Sequence, residues 1–423
     1  MRRTKFWYAP LFISTLLAAF GASAQPQAIA LADLQHPQNF PGAVARAQAL
    51  TQLGRDLFFE KALSSSGKMS CASCHDPDHA YTPANDRAVQ LGGEKLDQPG
   101  NRAVPTLKYL QVARPFEQHH LGIEDDGEEA LDQGPAGGLT WDGRADRGRD
   151  QARIPILSPV EMANRDEASA IEHILTAGYG PRFEALFGEA ALKDPKTGFA
   201  ALTEAIETFE QNREVFFPFT SKFDYWLEGM AKLTEAEKRG FNAFADPGRG
   251  NCDSCHEVTL FRSGGHPTLT DFRLVATAVP RNSEIPANLD SHYFDLGACG
   301  PIRTDLAGHP EFCGLFKVPT LRNIALKNRF FHNGVVKSLR DAVRFYAERE
   351  TNPERWYPKT PDGSIAIYDD IPPKYRGNIN HGPPFDRKRG EQSRLSDGDI
   401  DDIVAFLNTL TDGYRPEKLS AVK

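Results

Sequence analysis

The chain has 423 residues, of which 40% are hydrophobic and 25% are charged, and this balance is typical of a globular protein with two or more domains. Its formal net charge of −8 at pH 7 argues against a nucleic acid as the partner, because nucleic-acid binding relies on basic surfaces. The chemistry therefore has to be sought in individual motifs.

The amino-terminal segment has the pattern of a secretory signal peptide. A positively charged start at residues 2–5 is followed by a mostly apolar stretch at 6–20 and by Gly-Ala-Ser-Ala at 21–24, which offers an Ala-x-Ala cleavage site. We expect residues 1–24 to be removed after export to the periplasm. An uncleaved anchor is the alternative, but it needs about 20 apolar residues. No later segment is apolar enough to span a bilayer.

A five-residue pattern, Cys-x-x-Cys-His, occurs twice, at 71–75 and at 252–256. Two thiols at this spacing can bond to the two vinyl groups of one porphyrin, and the adjacent imidazole then lies over the iron. A single copy would also suit a redox dithiol or half of a zinc site. Two copies in an exported chain indicate two covalently bound haem c groups. They would be attached through Cys71, Cys74, Cys252 and Cys255, with His75 and His256 as the proximal iron ligands.

The two motifs belong to a weak internal repeat. Residues 53–58 precede the first motif and residues 239–244 precede the second, and each stretch contains a glycine followed four residues later by phenylalanine. A helix, a short loop and Cys-x-x-Cys-His form the opening of a cytochrome c domain. The repeat therefore predicts an N-terminal haem domain at 25–225 and a C-terminal haem domain at 226–423.

Further helices are predicted from apolar residues at spacings of three and four, at 168–177 and 199–214. Three more helices are predicted to begin at the N-caps Thr234, Ser338 and Ser396. Thr234 also forms a capping box with Glu237. Strand-like alternation is scarce, and 272–279 is the one candidate for a short strand. The predicted fold class is mainly α, with two cytochrome c-like haem domains and long loops.

Two long loops are predicted, at 91–148 and as an insertion at 356–394. The second is rich in proline and charge, and two interpretations of it stay open: a solvated insertion, or a lid or docking surface over the second haem. Cys299 and Cys313 lie outside the haem motifs, and in an oxidising compartment we expect them to form a disulfide. Loop closure would make this bond worth about 3 kcal/mol.

The second axial position of each iron decides the function. Iron with two strong ligands transfers electrons, whereas iron with an open face can bind a peroxide. After the predicted signal peptide the chain has only Met69, Met162 and Met230 as possible thioether ligands, and none of them follows the second motif. Met69 is two residues from Cys71, which is awkward for the distal side. The second haem must use another ligand, or none.

At this point the chain resembles the bacterial di-haem cytochrome c peroxidases and their MauG-type relatives, over nearly all of the mature sequence. The resemblance is carried by Trp-Asp-Gly-Arg at 141–144, Ser-Pro-Val-Glu-Met at 158–162, Phe-Lys-Val-Pro-Thr-Leu-Arg-Asn at 316–323 and Phe-His-Asn-Gly at 331–334. Together with two haem motifs in the right order, these stretches are highly specific. The resemblance implies a periplasmic oxidoreductase that acts on hydrogen peroxide.

The resemblance also assigns catalytic roles. Trp141 occupies the position of the family's bridging tryptophan, an electron relay between the haems, and Gln151 and Glu161 fall on the distal polar residues of the peroxide-binding haem. Glu161 would be the acid–base group that moves the peroxide proton. Two alternatives stay open: Trp141 as core filling, and Glu161 as part of a capping box with Ser158, with Pro159 at the first helical position.

Tyr346 is the most discriminating position. It lies fourteen residues after His332, where classical members of the family place a methionine ligand of the second haem and MauG-like or MbnH-like members place a tyrosine. A phenolate would lower the haem potential, and a thioether would raise it. The alternative is that Tyr346 only fills the apolar stripe of its helix.

Two departures from the family pattern matter. Many members supply a histidine to the first haem about sixteen residues past the motif, where this chain has Leu91. We therefore expect the first haem to be five-coordinate and ready without reductive activation. The positions that match the family's inter-haem calcium site are Ala103, Lys327 and Arg329, which argues against calcium because an oxygen ligand is lost and two cations are added.

The sequence thus predicts a di-haem peroxidase that reduces hydrogen peroxide at the N-terminal haem with electrons passed through the C-terminal haem. A small cytochrome c or a copper protein would be the donor. In the alternative hypothesis, a MauG-like enzyme takes the electrons from side chains of a partner protein, and Tyr346, Leu91 and the calcium positions favour this branch. A non-catalytic di-haem electron carrier is the third possibility, and Glu161 argues against it.

Overall fold

The computed structural model describes residues 41–122, 131–258 and 265–416, so the predicted signal peptide lies outside the described residues. Within these ranges, most regular structure is helical, which confirms the mainly α fold class. The α-helices are α1 Pro41–Phe59, α2 Gly148–Leu157, α3 Glu167–Thr176, α4 Gly180–Phe187, α5 Pro195–Glu210, α6 Arg213–Phe216, α7 Lys222–Leu227, α8 Glu235–Ala245, α9 Leu339–Glu348 and α10 Asp397–Asn408. None of these helices combines the length and the apolar composition that a bilayer crossing requires.

The strands are two residues long and form three antiparallel pairs in the described part of the chain. Their bounds are β1 Leu91–Gly92 with β2 Gln98–Pro99, β3 Leu121–Gly122 with β4 Leu131–Asp132, and β5 Leu274–Val275 with β6 Phe316–Lys317. The strand that the sequence predicts at 272–279 is thus limited to β5. Its partner β6 joins it from 42 residues further on, in register Leu274 to Lys317.

The internal repeat corresponds to two helix crossings of the same kind. A Cβ atom built on Gly54 in α1 would lie 1.8 Å from the carbonyl oxygen of Ala205 in α5, and one on Gly240 in α8 would lie 1.8 Å from that of Asp402 in α10. Only glycine lets two helix backbones approach this closely. The helix before each haem motif is therefore locked against a later helix of the same half of the chain.

The predicted helix boundaries are mostly confirmed. Helix α3 matches the prediction for 168–177 within one residue, and the N-caps Thr234, Ser338 and Ser396 all accept a backbone N–H at a helix start. The helix predicted at 199–214 is wrong at both ends. Helix α5 begins four residues earlier, and it ends at Glu210 because a separate short helix, α6, is capped by the residue that follows the break.

Each haem motif packs against its own hydrophobic core. One buried cluster draws on residues between Leu50 and Ile206 and contacts Cys71, and another draws on residues between Phe223 and Leu410 and contacts Cys252. The domain boundary predicted near residue 225 stays a prediction, although it falls close to the change from one cluster to the other.

Neither predicted loop contains a complete α-helix among its described residues, although Gly148, at the end of the first, begins α2. The segment 356–394 buries four large side chains, which are Tyr357, Ile371, Ile379 and Phe385. The interpretation of this segment as a solvated insertion is therefore wrong for its buried part. The predicted disulfide is confirmed: Cys299 and Cys313 are bonded, with their Cα atoms 4.8 Å apart.

Candidate haem sites

A cavity of about 840 Å³ lies beside the first Cys-x-x-Cys-His motif. This volume is within the range of about 300–1,000 Å³ that is usual for ligand and cofactor pockets. The sequence-predicted residues that line it are Cys71, Cys74, His75, Leu91, Trp141, Gln151 and Glu161. The fold thus brings the whole first set of predicted site residues to one cavity.

His75 has the hydrogen bond and the protonation state that a haem-iron ligand needs. Its Nδ1 lies 2.9 Å from the carbonyl oxygen of Tyr81, which fixes the ring and leaves Nε2 for a metal. Desolvation lowers the pKa of His75 to about 4, so the imidazole is neutral at pH 7 and keeps a lone pair. Cys71 and Cys74 take no part in the disulfide and line the same cavity. These residues fit a covalently attached haem.

A smaller cleft, of about 160 Å³, lies beside the second motif. The predicted residues that line the cleft are Cys252, Cys255, His256, Tyr346 and Trp141.

His256 repeats the arrangement of His75. Its Nδ1 lies 3.1 Å from the carbonyl oxygen of Leu269, and desolvation lowers its pKa, so the ring is neutral and its other nitrogen is available. Cys252 and Cys255 take no part in the disulfide and line the cleft. The second site therefore fits a second covalently attached haem.

Tyr346 lies on α9 and faces the second cleft. Its ring stacks on Phe385 with the ring centres 5.3 Å apart, and its hydroxyl makes no hydrogen bond within the described residues. Desolvation raises the pKa of Tyr346, so its phenol is neutral unless a cation lies against it. The residues of this helix that belong to the buried core are instead Ala342, Val343 and Ala347, whereas Tyr346 is only partly buried. This division of roles argues against Tyr346 as mere stripe filling.

Trp141 lines both pockets. Its Nε1 donates a 2.7 Å hydrogen bond to the carbonyl oxygen of Ala103, and its own carbonyl oxygen accepts one of 2.7 Å from the backbone N–H of Lys317. The side chain of Lys327 lies over the indole, with Nζ 5.9 Å from the ring centre. The indole is thus held in one orientation between the two candidate haem sites.

Glu161 is positioned by a turn and not by a helix. Ser158 ends helix α2, and the backbone N–H of Glu161 donates to the Ser158 carbonyl oxygen at 3.0 Å, so the capping-box alternative is wrong. Strand β1 packs against this turn: a Cβ on Gly92 would lie 2.7 Å from the Glu161 Cα atom. Desolvation raises the pKa of Glu161, while a bond from Ser158 and the charge of Arg144 act in the opposite sense.

Gln151 and Arg144 are two further polar residues that line the first cavity. Gln151 is on α2, two turns before Ser158, and Arg144 follows Trp141 by three residues. The Arg144 guanidinium is held by both carboxylate oxygens of Asp142, at 2.9 and 2.8 Å. The cavity therefore carries a carboxyl, an amide and a guanidinium together with other charged residues, Glu210 among them.

Leu91 belongs to β1 and presents an aliphatic side chain to the first cavity. The backbone N–H of Gly93, which follows β1, donates a 2.7 Å hydrogen bond to the carbonyl oxygen of Glu161. This bond holds β1 against the turn that carries Glu161. Met69 and Met162 also line the cavity, and both belong to the buried hydrophobic core of this half.

The positions that match the family's calcium site hold cationic side chains, and the carbonyl oxygens nearby already accept hydrogen bonds. Lys327 Nζ lies 3.5 Å from the carbonyl oxygen of Val104, and the Ala103 carbonyl is already bonded to Trp141. The Arg329 guanidinium donates to the Asp86 carbonyl oxygen and, at 2.8 Å, to a carboxylate oxygen of Glu284. Desolvation lowers the pKa of Lys327 to about 8.

Sequence reasoning missed three polar residues at these pockets. His332 stacks on Phe316 with the ring centres 3.5 Å apart, and its buried Nε2 has no hydrogen-bond partner within the described residues. Lys317 reaches the Gly138 carbonyl oxygen at 3.0 Å, and Glu210 lines the first cavity, where desolvation raises its pKa to about 8. The sequence shows the motifs that contain positions 317 and 332, but it does not show these contacts, because each of them forms only in the folded chain.

Taken together, the mainly helical fold and two pockets, each lined by a Cys-x-x-Cys-His motif and both lined by Trp141, define a di-haem protein of the c type. Comparison with known proteins agrees with this class. A family model described as "Di-haem cytochrome c peroxidase" matches residues 48–232. The methylamine utilization protein MauG of Paracoccus denitrificans is 33% identical, over 87% of this chain and 90% of that protein. The cytochrome c551 peroxidase of Nitrosomonas europaea is 29% identical, over 72% of this chain and 75% of that protein.

A solved structure shows the same fold. The diheme peroxidase BthA from Burkholderia thailandensis superimposes with a TM-score of 0.75 and 38% sequence identity, over 86% of each chain. The chain belongs to the di-haem cytochrome c peroxidase and MauG family, and it is an oxidoreductase of the peroxidase type. Membership of this family implies two c-type haems, which is the cofactor content that the two motifs predict.

Proposed function

We propose that this protein is a periplasmic di-haem peroxidase that reduces hydrogen peroxide at the haem of the first motif, with electrons that pass through the haem of the second motif. The observation that carries the proposal is the composition of the first cavity. It combines Glu161 and Gln151 with an aliphatic residue, Leu91, at the position where relatives supply an imidazole. This combination leaves a polar face for peroxide and no histidine from β1 to block it.

When bound, the first haem would supply the iron that binds peroxide and the electrons that cleave its O–O bond. Glu161 would act on the protons. Its carboxylate would take a proton from one peroxide oxygen and return it to the other, which would leave as water. The surrounding protein favours a carboxyl that can hold this proton, because desolvation raises the pKa of Glu161.

Gln151 and Arg144 would orient the peroxide and favour charge separation in its O–O bond. The amide of Gln151 can donate to one peroxide oxygen and accept from the other. The guanidinium of Arg144 is fixed by Asp142 on one side, at 2.8 and 2.9 Å, so its charge stays at the cavity. A fixed positive charge stabilises the negative charge that develops on the leaving oxygen.

Trp141 would relay electrons between the pockets, since it lines both of them and its indole is held by Ala103. His75 and His256 would be the proximal ligands, and Tyr346 would ligate the second iron through its phenolate oxygen. A ferric ion would offset the desolvation that otherwise keeps this phenol protonated. The proposal includes no calcium ion, because Lys327 and Arg329 place positive charge at the matching positions.

A second candidate function is favoured by Tyr346 specifically. An anionic oxygen ligand lowers the potential of the second haem and so stabilises its oxidised form. A protein that stores oxidising equivalents in this way is suited to remove electrons from side chains of a partner protein, as a MauG-like enzyme would. In the first candidate function a small cytochrome c or a copper protein donates the electrons. The two candidates share the same site chemistry and differ in the reductant.

Turnover of the haem-loaded protein with hydrogen peroxide tests the proposal. We expect peroxide consumption that depends on Glu161, and rapid re-reduction by a reduced small cytochrome c if detoxification is the function. Slow re-reduction by cytochrome together with a long-lived oxidised state would instead favour the partner-protein substrate. Absence of any reaction with peroxide would contradict both candidates and leave an electron carrier.

A further inference from the structure

A buried arginine and a carboxylate lie directly behind the second pocket. Helix α9 ends at Glu348, and the next two residues are Arg349, which is fully buried, and Glu350. The phenol of Tyr368 donates its hydrogen bond to the Glu350 carboxylate, with 2.7 Å to each oxygen. A tyrosine bonded to a carboxylate has a proton acceptor in place, so it can lose an electron and a proton together.

Aromatic and cationic groups connect this pair with the second pocket. Tyr346 faces the pocket and stacks on Phe385 with the ring centres 5.3 Å apart. The Arg349 guanidinium lies 3.6 Å from the centre of the Phe385 ring and 5.8 Å from the centre of the Tyr368 ring. Electron transfer slows steeply with distance, and this packed series leaves no wide gap between Tyr346 and Tyr368.

The pair also reaches the surface. The ring centre of His381 lies 6.0 Å from that of Tyr368, its Nδ1 lies 3.5 Å from a Glu350 oxygen, and its side chain is 53% exposed. Tyr368 and His381 both belong to the segment 356–394, which otherwise has no role in the proposed function. This segment therefore connects the second pocket with solvent through groups that can carry charge.

We propose that Tyr368 is a redox-active tyrosine, with Glu350 as its proton acceptor, through which a reductant at the surface delivers electrons to the second haem. The inference rests on the proposed peroxidase function and adds to it the place where electrons enter. The reductant is a one-electron donor that contacts the surface around His381.

The chemistry balances with hydrogen peroxide as the oxidant. Tyr368 gives one electron to the oxidised second haem, its O–H bond breaks, and the proton moves to Glu350. A neutral tyrosyl radical remains. The reductant then supplies one electron to the radical, and the proton returns from Glu350 to the phenol oxygen. Each peroxide takes two electrons and two protons and becomes two water molecules, so the relay operates twice per peroxide.

Two neighbouring aromatic residues are less suited to this role. The Tyr357 hydroxyl donates to the backbone carbonyl oxygen of Ala278 at 2.6 Å, and a carbonyl does not take up a proton. The Trp356 Nε1 is buried and has no hydrogen-bond partner within the described residues. Desolvation and the bond to Glu350 both raise the pKa of Tyr368, so this phenol keeps its proton until it is oxidised.

The test uses the protein with both haems attached, expressed with ring-deuterated tyrosine, mixed with hydrogen peroxide and frozen at short times for electron paramagnetic resonance. We expect a tyrosyl radical in the wild type and its loss in Tyr368→Phe. Tyr375→Phe is the matched control, because Tyr375 lies in the same segment and its hydroxyl makes no hydrogen bond within the described residues. The control should retain the radical.

Glu350→Gln provides a second variant that keeps the size of the side chain and a hydrogen-bond acceptor but removes the base. We expect it to lower the radical yield while the haem spectra of the resting protein stay unchanged. If Tyr368→Phe does not fold, this variant and the adduct map carry the test, and its resting haem spectra check that losing the ion pair of Glu350 with Arg349 leaves the second pocket intact. A spin-trap adduct should map to Tyr368 by peptide mass spectrometry in the wild type.

The possible failures are distinguishable. If peroxide changes both haem spectra but the radical survives in Tyr368→Phe, or the adduct maps to another residue, the entry route is wrong and the peroxidase function stands. If peroxide leaves both haem spectra unchanged, the proposed function fails and the route falls with it.

Discussion

Glu161 and Tyr346 each present one oxygen-bearing side chain to a different pocket, and two different local structures achieve this. Glu161 follows the end of α2 in a turn that Gly92 allows to pack closely, whereas Tyr346 is held on α9 beside the fully buried Phe345. In the proposed function the first residue moves protons and the second ligates the iron of the second haem. The two functions are therefore separable by substitution.

Glu161→Gln should slow the reaction with hydrogen peroxide by about 10²–10⁴-fold, the usual contribution of a general acid–base group. Stopped-flow absorbance at the Soret band would measure this rate. Glu172→Gln, on the exposed face of α3, is the control and should react like the wild type. In the wild type the carboxylate must be deprotonated to act, and its pKa lies above the ordinary 4.5, so the rate should fall on acidification while the pH is still above 4.5. Equal rates for the wild type and Glu161→Gln would remove Glu161 from the mechanism.

Tyr346→Met should raise the reduction potential of the second haem, because a thioether stabilises ferrous iron better than a phenolate does. The change should be a sizeable part of the roughly 0.8 V range that axial ligands span. A spectroelectrochemical titration would measure it, with Tyr225→Phe as a control outside the second cleft. An unchanged potential and spectrum would show that Tyr346 is not a ligand.

At the scale of helices, the two glycine crossings hold each haem motif against its core. Gly240→Ala would place a Cβ atom 1.8 Å from the Asp402 carbonyl oxygen, so α8 and α10 would have to separate. We expect a loss of about 1–3 kcal/mol in the free energy of unfolding, as for other overpacked contacts. Gly398→Ala, in the first turn of α10, would place its Cβ atom 3.7 Å from the Ser396 hydroxyl oxygen, an ordinary contact, and should be neutral or stabilising. Denaturant unfolding would compare them, and equal stability of the two variants would contradict the crossing.

The helix boundaries could be predicted from the sequence only where they depend on neighbouring residues. Caps such as Ser338 and Ser396 and the motif helices were predictable because capping depends on neighbours within three residues. The break after Glu210 was missed, because the apolar period continues past the residue where Asn212 starts a new helix. The contact of Lys327 with Trp141 joins positions far apart in the chain, so no local pattern indicated it.

At the scale of the whole molecule, the two halves of the chain meet around Trp141. Arg102 donates to Asp142 and to Asp295 at 2.6 Å each, and this buried group links a loop before Trp141 with one beyond the second motif. The charge of Arg102 holds the pKa of Asp142 at about 2 although burial opposes this. The region around Trp141 is thus held together by buried ion pairs, which suits the electron relay proposed for this residue.

Trp141→Phe should slow electron transfer between the two haems, because phenylalanine is much harder to oxidise than tryptophan. We expect the first haem still to react with peroxide, while oxidation of the second haem becomes slower than that reaction. Rapid-freeze spectroscopy that resolves the two haems would measure both rates. Trp226→Phe, in the core of the second half, controls for loss of an indole. Simultaneous oxidation of both haems in Trp141→Phe would contradict the relay.

The resting ferric protein, examined by electron paramagnetic resonance before and after one equivalent of hydrogen peroxide, tests the central claim most directly. The account predicts one high-spin haem with an open face and one low-spin haem without a methionine ligand. Peroxide should then remove electrons from both haems. Two low-spin haems that do not respond to peroxide would contradict the account.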